Sequence, residues 1–283
     1  MSSENAMLRA LGYKVEYTIG EGTYSKVKTA LSKKYSERVA IKMLNKKHAP
    51  SDFVNRFLPR ELAILKTISH PHVVHVFELI ELENGVQCIV MELCHTDLLQ
   101  QIQQEGPFSM SEAQRIFSQI ASALQYLHEN NIVHRDLKCE NVLLTHDQSV
   151  KLSDFGFGKH SVNPMELCNT YCGSAAYAPP EVLLGIPYNP RKYDIWSLGV
   201  VLYIMVTGKM PFDDSNISKL PEIQQKGVEY PNFITINEKC WSLIKNLLNF
   251  SPSDRPDIST VARFTWQGTP KSERKPSRQS DKE

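Results

Sequence analysis

One short stretch near the middle of the chain concentrates residues that could transfer protons and bind phosphate. In "VHRDLKCENVLL", Val133 to Leu144, charged side chains and an amide lie between two apolar flanks. Asp136 could accept a proton from a hydroxyl group beside a bound phosphate, and Lys138 could neutralise a transferring phosphoryl group. The alternative is a salt-bridged surface turn. The stretch predicts phosphoryl transfer only if other segments supply a phosphate site.

A predicted hairpin brings two oxygen ligands close together. The short strands "NVLL" and "SVKL" flank the polar turn "THDQ". A hairpin centred between Asp147 and Gln148 places Asn141 roughly opposite Asp154. An amide oxygen beside a carboxylate suits Mg²⁺, which uses few protein ligands and lets phosphates complete its shell. The alternative is that both residues only cap the turn.

Two segments nearer the N-terminus could bind phosphates. "IGEGTYSKV" places Gly20 and Gly22 between two predicted strands, where backbone N–H groups could approach a phosphate closely, although a plain tight hairpin fits as well. "VAIK" places Lys42 at the end of a strand, and Glu61 on the following helix is its expected partner. Alternatively, Lys42 is a surface residue with its ammonium group in water.

The elements that must position these residues change character along the chain. Alternating or β-branched segments predict strands at 13–20, 24–31, 38–44, 75–82 and 86–93, with a helix over 53–68. Helical patterns then dominate, at 109–130, 194–208, 241–250 and 258–266. Ser109, three residues before Glu112, predicts a capping box. We therefore predict an α+β fold with a β-rich lobe (13–93), an α-rich lobe (94–267) and a disordered tail (268–283).

Composition narrows the possible partners and location. The chain has 283 residues, of which 41% are hydrophobic and 22% charged, as in an ordinary globular protein. The net charge of +1 gives no general electrostatic reason to bind nucleic acid or acidic membranes. The longest apolar run, "LGVVLYIMV", is about half of the ~20 residues that a spanning helix needs. Six scattered cysteines and no apolar signal sequence indicate reduced thiols and a cytoplasmic protein.

In order and spacing, these motifs resemble the signature set of eukaryotic protein kinases. The set spans Tyr13 to Gln267 and comprises the Gly-rich loop, "VAIK", the helix glutamate, "HRDLKCEN", "DFG", a variant "APE" and "DIWSLG". The resemblance implies the bilobal kinase fold. It also implies transfer of the γ-phosphoryl group of ATP to proteins, with ATP and Mg²⁺ as cofactors.

The resemblance implies a role for each candidate residue of the catalytic centre. Lys42 would contact the α- and β-phosphates and pair with Glu61. Asp136 would orient the substrate hydroxyl as the catalytic base, and Lys138 would support the γ-phosphate. The two oxygen ligands of the predicted hairpin, Asn141 and Asp154, would hold Mg²⁺.

Further roles follow from the same resemblance. The nucleotide site would comprise Gly20 and Gly22 over the phosphates, Val27 and Ala40 around the adenine, Met91 as the gatekeeper, and Glu92 and Cys94 in the hinge. Arg135 would meet a regulatory phosphate on Thr170. Asp194 would anchor the catalytic loop from below. Glu181 would pair with Arg255.

Other residues of these motifs indicate the substrate. "HRDLK" followed by "EN", with Ser174 after "CG", resembles serine/threonine rather than tyrosine kinases. Glu140 and Asp97 lie where similar kinases receive an arginine upstream of the target residue. A preference for basic substrates is therefore a hypothesis, and solvated loop charge is the alternative.

A closer resemblance is to the testis-specific serine/threonine kinases of the calmodulin-dependent kinase group. "RFLPREL", "HRDLKCEN", "SDFGFGK" and "PEVLLGIPY" carry it, and Cys139 is informative because most related kinases have proline there. It implies a role in sperm formation or function and a heat-shock chaperone as a partner. We predict a monomer.

Two departures from the kinase pattern bear on activity. Ser25 replaces the third glycine of the loop, and Pro179 stands where similar kinases usually have alanine. Two other functions are alternatives to an active protein kinase. A pseudokinase scaffold would be favoured by loss of a catalytic residue, and none is lost. A small-molecule phosphotransferase does not need the long segment from Asp154 to Glu181, which protein kinases use to seat peptides.

Overall fold

A computed structural model describes residues 2–163, 165–170 and 172–266. Within these ranges, a five-stranded antiparallel sheet is followed by a mainly helical region, so the predicted α+β fold with a β-rich and an α-rich part is confirmed. The predicted tail, 268–283, and Gln267 lie outside the described residues.

The sheet of the β-rich lobe contains all five predicted strands. They are β1 (Tyr13–Glu21), β2 (Ser25–Ser32), β3 (Arg38–Asn45), β4 (Val76–Glu81) and β5 (Val86–Glu92), in the spatial order β1-β2-β3-β5-β4. Lys42 at the centre of β3 faces Val27 on one side and Ile89 on the other. Ala40 faces Met91. The register therefore brings the predicted phosphate-binding lysine and the predicted adenine-site residues together on neighbouring strands.

A helix that the sequence analysis did not predict precedes the sheet. Helix α1 (Ser3–Ala10) begins at Ser2, whose hydroxyl accepts a hydrogen bond from the Asn5 N–H. Its Leu8 is fully buried in the small core of the β-rich lobe, together with Tyr13. The unit that buries this core therefore begins before Tyr13.

The predicted helix over 53–68 has two parts. Residues Phe53–Phe57 form a π-helical turn, closed by a hydrogen bond from the Leu58 N–H to the Phe53 carbonyl, and α2 (Leu58–Leu65) continues it. The buried side chains of α2 are Leu58, Glu61, Ile64 and Leu65. Glu61 thus occupies the buried face of the helix, where a carboxylate needs a partner.

The α-rich lobe contains the predicted long helices. Its helices are α3 (Leu98–Glu105), α4 (Met110–Glu129), α5 (Pro180–Leu183), α6 (Pro190–Thr207), α7 (Leu220–Gln225), α8 (Glu238–Leu247) and α9 (Ile258–Val261). The capping box of Ser109 and Glu112 is present at the start of α4. Helix α6 is buried along nearly its whole length and ends at Gly208, whose φ of 71° is left-handed. Helix α9 is shorter than predicted, because its four residues are followed by turns.

Short strands and single turns form the edges of the catalytic region. The strands are β6 (Thr96–Asp97), β7 (Ile132–Val133), β8 (Val142–Leu144), β9 (Val150–Leu152) and β10 (Lys159–His160), and 3₁₀ turns cover Cys139–Asn141, Ala175–Tyr177, Ile217–Lys219 and Pro252–Asp254. The main core fills the α-rich lobe and continues to Ile64 and Ile89 of the β-rich lobe. Among the described residues, no helix has the length and apolarity needed to cross a membrane.

The predicted hairpin is present with a register one residue away from the predicted one. Val142 pairs with Leu152, and the Ser153 N–H donates to the Asn141 carbonyl over 2.9 Å, so Asn141 lies opposite Ser153 rather than Asp154. The cause is the turn. Gln148 has a left-handed φ of 60°, which gives a three-residue loop where the sequence analysis placed the centre between two residues.

Candidate active site

The ammonium group of Lys42 lies between the carboxylates of Glu61 and Asp154. Lys42 Nζ is 2.8 Å from Glu61 Oε1 and 3.2 Å from Asp154 Oδ1, so β3, α2 and the segment after β9 meet at one ammonium group. Burial opposes the charge on Lys42, but the two carboxylates outweigh it and raise its pKa above the usual range. The same ammonium group lowers the pKa of Asp154. Lys42 and Asp154 are therefore held in their charged forms.

Asp154 and Phe155 point in opposite directions. Asp154 has a left-handed φ of 60°, and its Oδ1 accepts a hydrogen bond from the Gly156 N–H over 3.2 Å. Phe155 is buried in the main core, with its ring centre 5.1 Å from that of His134. The reversed backbone directs the carboxylate towards Lys42 while the phenyl ring anchors the segment in the core.

The loop after β7 gathers the second group of predicted residues. Asp136 is 6% exposed, and its Oδ2 lies 3.3 Å from Lys138 Nζ and 3.1 Å from the Asn141 amide nitrogen. Ser174 contacts both ends of this group, since its N–H donates to Asp136 Oδ1 and its hydroxyl accepts from Lys138. Burial raises the pKa of Asp136, and the Lys138 ammonium opposes the rise. A carboxylate with a raised pKa is a better proton acceptor than an ordinary aspartate.

The buried carboxylate of Asp194 anchors the loop after β7 through hydrogen bonds to its backbone. Asp194 on α6 is fully buried and accepts hydrogen bonds from the His134 N–H (2.9 Å), the Arg135 N–H (2.7 Å) and His128 Nε2 (2.8 Å). Burial favours the neutral acid, but the hydrogen bond from His128 and the backbone donors hold its pKa below the usual range. Arg135 has a left-handed φ of 62°. The anchor thus holds a backbone conformation that L-residues rarely adopt.

The oxygen atoms of Asn141 and Asp154 fit a hard cation. The Asn141 amide nitrogen donates to the Asp136 carbonyl over 2.8 Å, which leaves its amide oxygen on the opposite side of the group. One amide oxygen and one carboxylate suit Mg²⁺ and leave positions for phosphate oxygens. In the described part of the chain, no cluster of three His, Cys, Asp or Glu side chains could hold a metal ion alone.

The predicted nucleotide-site residues lie on β1, β2, β3 and β5 and in the segments that follow β1 and β5. Gly20 faces Val27 across β1 and β2, and the Gly22 N–H donates to the Ser25 carbonyl over 2.8 Å. A Cβ added at Gly22 would lie 3.1 Å from the Ser25 hydroxyl. Ser25, which replaces the third glycine of the loop, is therefore a close neighbour of Gly22. In the hinge, burial raises the pKa of the Cys94 thiol to about 12, which keeps it protonated.

The regulatory pair predicted from sequence consists of Arg135 and Thr170. The Arg135 guanidinium is 2% exposed, donates from Nε to the Phe157 carbonyl and has no carboxylate within ion-pair distance among the described residues. On the Thr170 side, the Tyr188 hydroxyl donates to the Thr170 carbonyl over 2.9 Å.

Farther along the same segment, the expected pair of Glu181 and Arg255 is present. Its two contacts are 2.6 and 2.8 Å long, and both side chains are buried. A bidentate pair of this kind holds the end of the segment against the loop before α9.

A comparison with known families identifies this arrangement. The sequence pattern of the protein kinase domain matches residues 13–267. The chain belongs to the protein kinase family. Its predicted resemblance to that family, made from motif order alone, is confirmed.

Several similar proteins carry the names of testis-specific kinases. The kinase is 47% identical to testis-specific serine/threonine-protein kinase 3 of Homo sapiens over 90% of this chain and 96% of the relative. It is 46% identical to testis-specific serine/threonine-protein kinase 2 of Mus musculus over 94% and 76% of the two chains. Serine/threonine-protein kinase SIK2 of Gallus gallus is 37% identical over 92% of this chain and 32% of that one. The narrower resemblance predicted from sequence is therefore confirmed.

Some contacts of the kinase site had no separate sequence signal. His128 lies in the last turn of α4 and binds Asp194, although nothing in its spacing links the two. Tyr177 donates to Glu140 Oε2 over 3.3 Å, and it is reached only after the segment folds back over the catalytic loop. Both contacts join residues far apart in sequence, which a local motif does not reveal.

Proposed function

We propose that this kinase transfers the γ-phosphoryl group of ATP to serine and threonine side chains of proteins. The observation that carries the proposal is a pair of charged clusters. Lys42 contacts Glu61 and Asp154, and Asp136 contacts Lys138 and Asn141. One cluster can bind phosphates while the other orients a hydroxyl group. The names of the relatives support serine and threonine as acceptors.

In this proposal, each cluster has a separate task. Lys42 binds the α- and β-phosphates, with Glu61 holding its ammonium group in place. Asp136 accepts the hydrogen bond of the substrate hydroxyl and then its proton, and Lys138 neutralises the phosphoryl group in transit. Asn141 and Asp154 hold Mg²⁺, which neutralises phosphate charge when bound.

The nucleotide rests against the β-rich lobe in the same proposal. The residues that we assign to it are Gly20, Gly22, Val27, Ala40, Met91, Glu92 and Cys94. The cross-strand neighbours support this assignment, since Val27 lies beside Lys42 and Ala40 beside Met91. The lobes that enclose the site are residues 13–93 and 94–267, as proposed from sequence.

A preference for basic substrates has support from two uncompensated acids near Asp136. Glu140 is exposed, and its contact with the Tyr177 hydroxyl adds no positive charge. Asp97 caps α3, and its pKa is raised by burial and by the nearby charge of Glu140. Neither carboxylate has a cation within ion-pair distance among the described residues. An arginine or lysine before the target residue would supply the cation that these two carboxylates lack.

Phosphorylation of Thr170 is the proposed activating step. The buried Arg135 guanidinium supports it, because a phosphate on Thr170 would supply the acidic partner that the described residues do not. Full activity of a Thr170→Ala variant would contradict this step.

The biological setting comes from the relatives. Their names support a role in spermatogenesis or sperm function. A heat-shock chaperone partner, a monomeric state and a cytoplasmic location stay predictions.

A phosphate-transfer assay tests the proposed function. The full chain is incubated with radiolabelled ATP, Mg²⁺ and a serine peptide that carries arginine three residues upstream. We expect incorporation by the wild type and a loss of about 10²–10⁴-fold for Asp136→Asn. Equal incorporation by both proteins would contradict the catalytic assignment.

Two further arms of that assay test the substrate and the metal. Replacing the upstream arginine by alanine should lower incorporation by the wild type and have less effect in Glu140→Gln. Replacing Mg²⁺ by a chelator should abolish transfer. Unchanged transfer in either arm would contradict the corresponding assignment.

A further inference from the structure

Four aromatic rings form a row from the turn between β1 and β2 to the segment after β9. We name Tyr24, Phe53, Phe57 and Phe157 the aromatic row. The ring centres are 5.8 Å apart between Tyr24 and Phe53, 6.3 Å between Phe53 and Phe57, and 5.9 Å between Phe57 and Phe157. All three separations lie in the range of favourable aromatic pairs. None of the four residues belongs to the charged clusters described above.

The row connects three different parts of the kinase. Tyr24 lies in the turn between β1 and β2, two residues after Gly22. Phe53 and Phe57 lie in the π-helical turn before α2, the helix that carries Glu61. Phe157 follows the glycine of the segment that carries Asp154. The first and third parts carry groups that we place at the phosphates and Mg²⁺, and α2 carries Glu61, which holds Lys42.

The π-helical turn provides the link between the two ends. Its i→i+5 hydrogen bond widens the turn, and Phe53 and Phe57 stack with an interplanar angle of 23°. Arg56 covers the middle of the row, with its guanidinium carbon 5.7 Å from the centre of the Phe57 ring. Single π-helical turns are rare and occur frequently at functional sites.

The far end of the row reaches the catalytic loop. The Phe57 and Phe157 rings meet edge to face at 77°. The carbonyl of Phe157 accepts a hydrogen bond from Arg135 Nε over 2.8 Å. Arg135 precedes Asp136, so one continuous set of contacts runs from the turn beside Gly22 to the neighbour of the proposed base.

Tyr24 is held mainly through its ring. It is 38% exposed, and its only ring contact among the described residues is with Phe53. Within the turn, the backbone bond between Gly22 and Ser25 fixes the two flanks rather than the tip. The position of the tip therefore depends on Phe53, and through it on α2.

We propose that Phe53 and Phe57 are positioning residues that make the nucleotide-binding loop and the Asp154 segment depend on each other. When Phe157 and α2 are in place, the rings hold Tyr24, and the loop that contains Gly20 and Gly22 closes over the nucleotide. The inference rests on the nucleotide role proposed above for that loop. Four separate surface rings that merely cover apolar area would not couple the two ends.

A double-mutant cycle between the two ends tests the inference, because Tyr24 and Phe157 do not touch. The dissociation constant of ATP with Mg²⁺ is measured by calorimetry for the full-length wild type, Tyr24→Leu, Phe157→Leu and the double variant. We expect each single variant to bind ATP about two- to tenfold more weakly. The double variant should be no weaker than the weaker single variant, since one break already disconnects the row.

Phe53→Leu interrupts the aromatic row between Tyr24 and Phe57. In its background, neither Tyr24→Leu nor Phe157→Leu should weaken ATP binding further. Tyr17→Leu is the matched control, since Tyr17 is an exposed ring on β1 with no ring contact among the described residues, and its affinity should stay within about 1.5-fold of the wild type. Steady-state kinetics should show a raised KM for ATP with kcat changed less than threefold.

The possible outcomes separate the inference from the proposed function. A wild type that does not bind ATP would overturn both. A wild type that binds ATP, with single effects that multiply in the double variant, would overturn the coupling alone. So would a Phe157→Leu variant that binds ATP normally. Melting temperatures identify any variant that is unfolded, and Phe57→Leu then replaces Phe53→Leu as the variant that interrupts the aromatic row.

Discussion

The two charged sets that support the active site are built in opposite ways. In the upper set, Lys42 joins Glu61 and Asp154 from three separate elements, and Asp154 is 45% exposed. Glu61 Oε2 is buried without a hydrogen-bond partner in the described part of the chain. In the lower set, Asp194 is fully buried and receives three donors. The upper set thus contains a buried carboxylate oxygen without a hydrogen-bond donor, whereas the carboxylate of the lower set accepts three hydrogen bonds.

This difference has a physical consequence. A buried carboxylate with all its donors in place is costly to disturb, because any movement leaves polar groups without partners. A carboxylate that already has an unpartnered oxygen loses less when its surroundings change. The lower set therefore fixes the catalytic loop, whereas the upper set loses less when its contacts change.

The largest effect is expected from breaking the lower set with Asp194→Asn. The amide can accept from one backbone N–H but turns its NH₂ group towards another donor. We expect the free energy of unfolding in urea to fall by about 3 kcal/mol, with loss of most kinase activity. Asp257→Asn, which removes an exposed partner of Lys192, is the control and should cost less than about 1 kcal/mol. Equal costs for the two variants would contradict the proposed anchor.

The upper set should respond to Glu61→Gln in activity rather than in stability. The substitution keeps the shape of the side chain but frees Lys42 from one of its two carboxylates. We expect kcat/KM to fall about 10- to 100-fold through misplacement of Lys42. The free energy of unfolding should fall less than in Asp194→Asn, because Lys42 keeps its second carboxylate, Asp154.

Glu81→Gln, an exposed partner of Lys46, is the matched control for that substitution. It should leave kcat/KM unchanged. A Glu61→Gln protein that loses as much stability as Asp194→Asn would remove the distinction between the two sets.

The acidic limb of the pH–rate profile should report Asp136, which lies on the loop that the lower set anchors. Activity requires ionised Asp136, whose pKa is raised by burial, so kcat/KM should start to fall at a higher pH than for an ordinary aspartate. Below that pKa the rate should drop about tenfold per pH unit. Asp154 stays ionised in this range, because Lys42 lowers its pKa.

Lys138→Met sharpens the assignment of the acidic limb. It removes an ammonium group that lowers the pKa of Asp136, so the limb should move to higher pH. Lys219→Met, at an exposed position, should leave it in place. A limb that moves to lower pH, or not at all, would show that another group titrates.

The smallest effect is expected at Pro179. Its φ of −73° is ordinary for proline and for alanine, and its carbonyl accepts the N–H groups of Val182 and Leu183 in either case. Pro179→Ala should therefore change peptide phosphorylation by less than tenfold. A larger gain would mean that Pro179 restrains the enzyme, and that part of the α-rich lobe is less fixed than Asp194 suggests.

Much of this architecture could be predicted from local patterns. The five strands, the capping box of α4 and the end of α6 at Gly208 follow from alternation, cap residues and a glycine with left-handed φ. The meeting of Lys42 with Glu61 also followed from a simple rule, because a lysine framed by apolar residues on a buried strand needs a carboxylate.

Other features depended on information that the patterns lack. The hairpin register shifted by one residue because Gln148 adopts a left-handed conformation, which its residue type does not indicate. The π-helical turn at Phe53 was hidden because its spacing differs little from that of an α-helix over five residues. The bond between His128 and Asp194 needs the packing of α4 against α6, which only the folded chain supplies.

Helix α1 has a practical consequence for any fragment of this kinase. The family pattern begins at residue 13, but Leu8 is fully buried beneath the sheet and Glu4 binds the Asn84 side chain. A fragment cut at Tyr13 would expose the apolar area that Leu8 covers, at a cost of about 1.5–3 kcal/mol for that side chain alone. Such a fragment would keep every catalytic residue and still aggregate more readily, because the folding unit begins before the first residue that the family pattern matches.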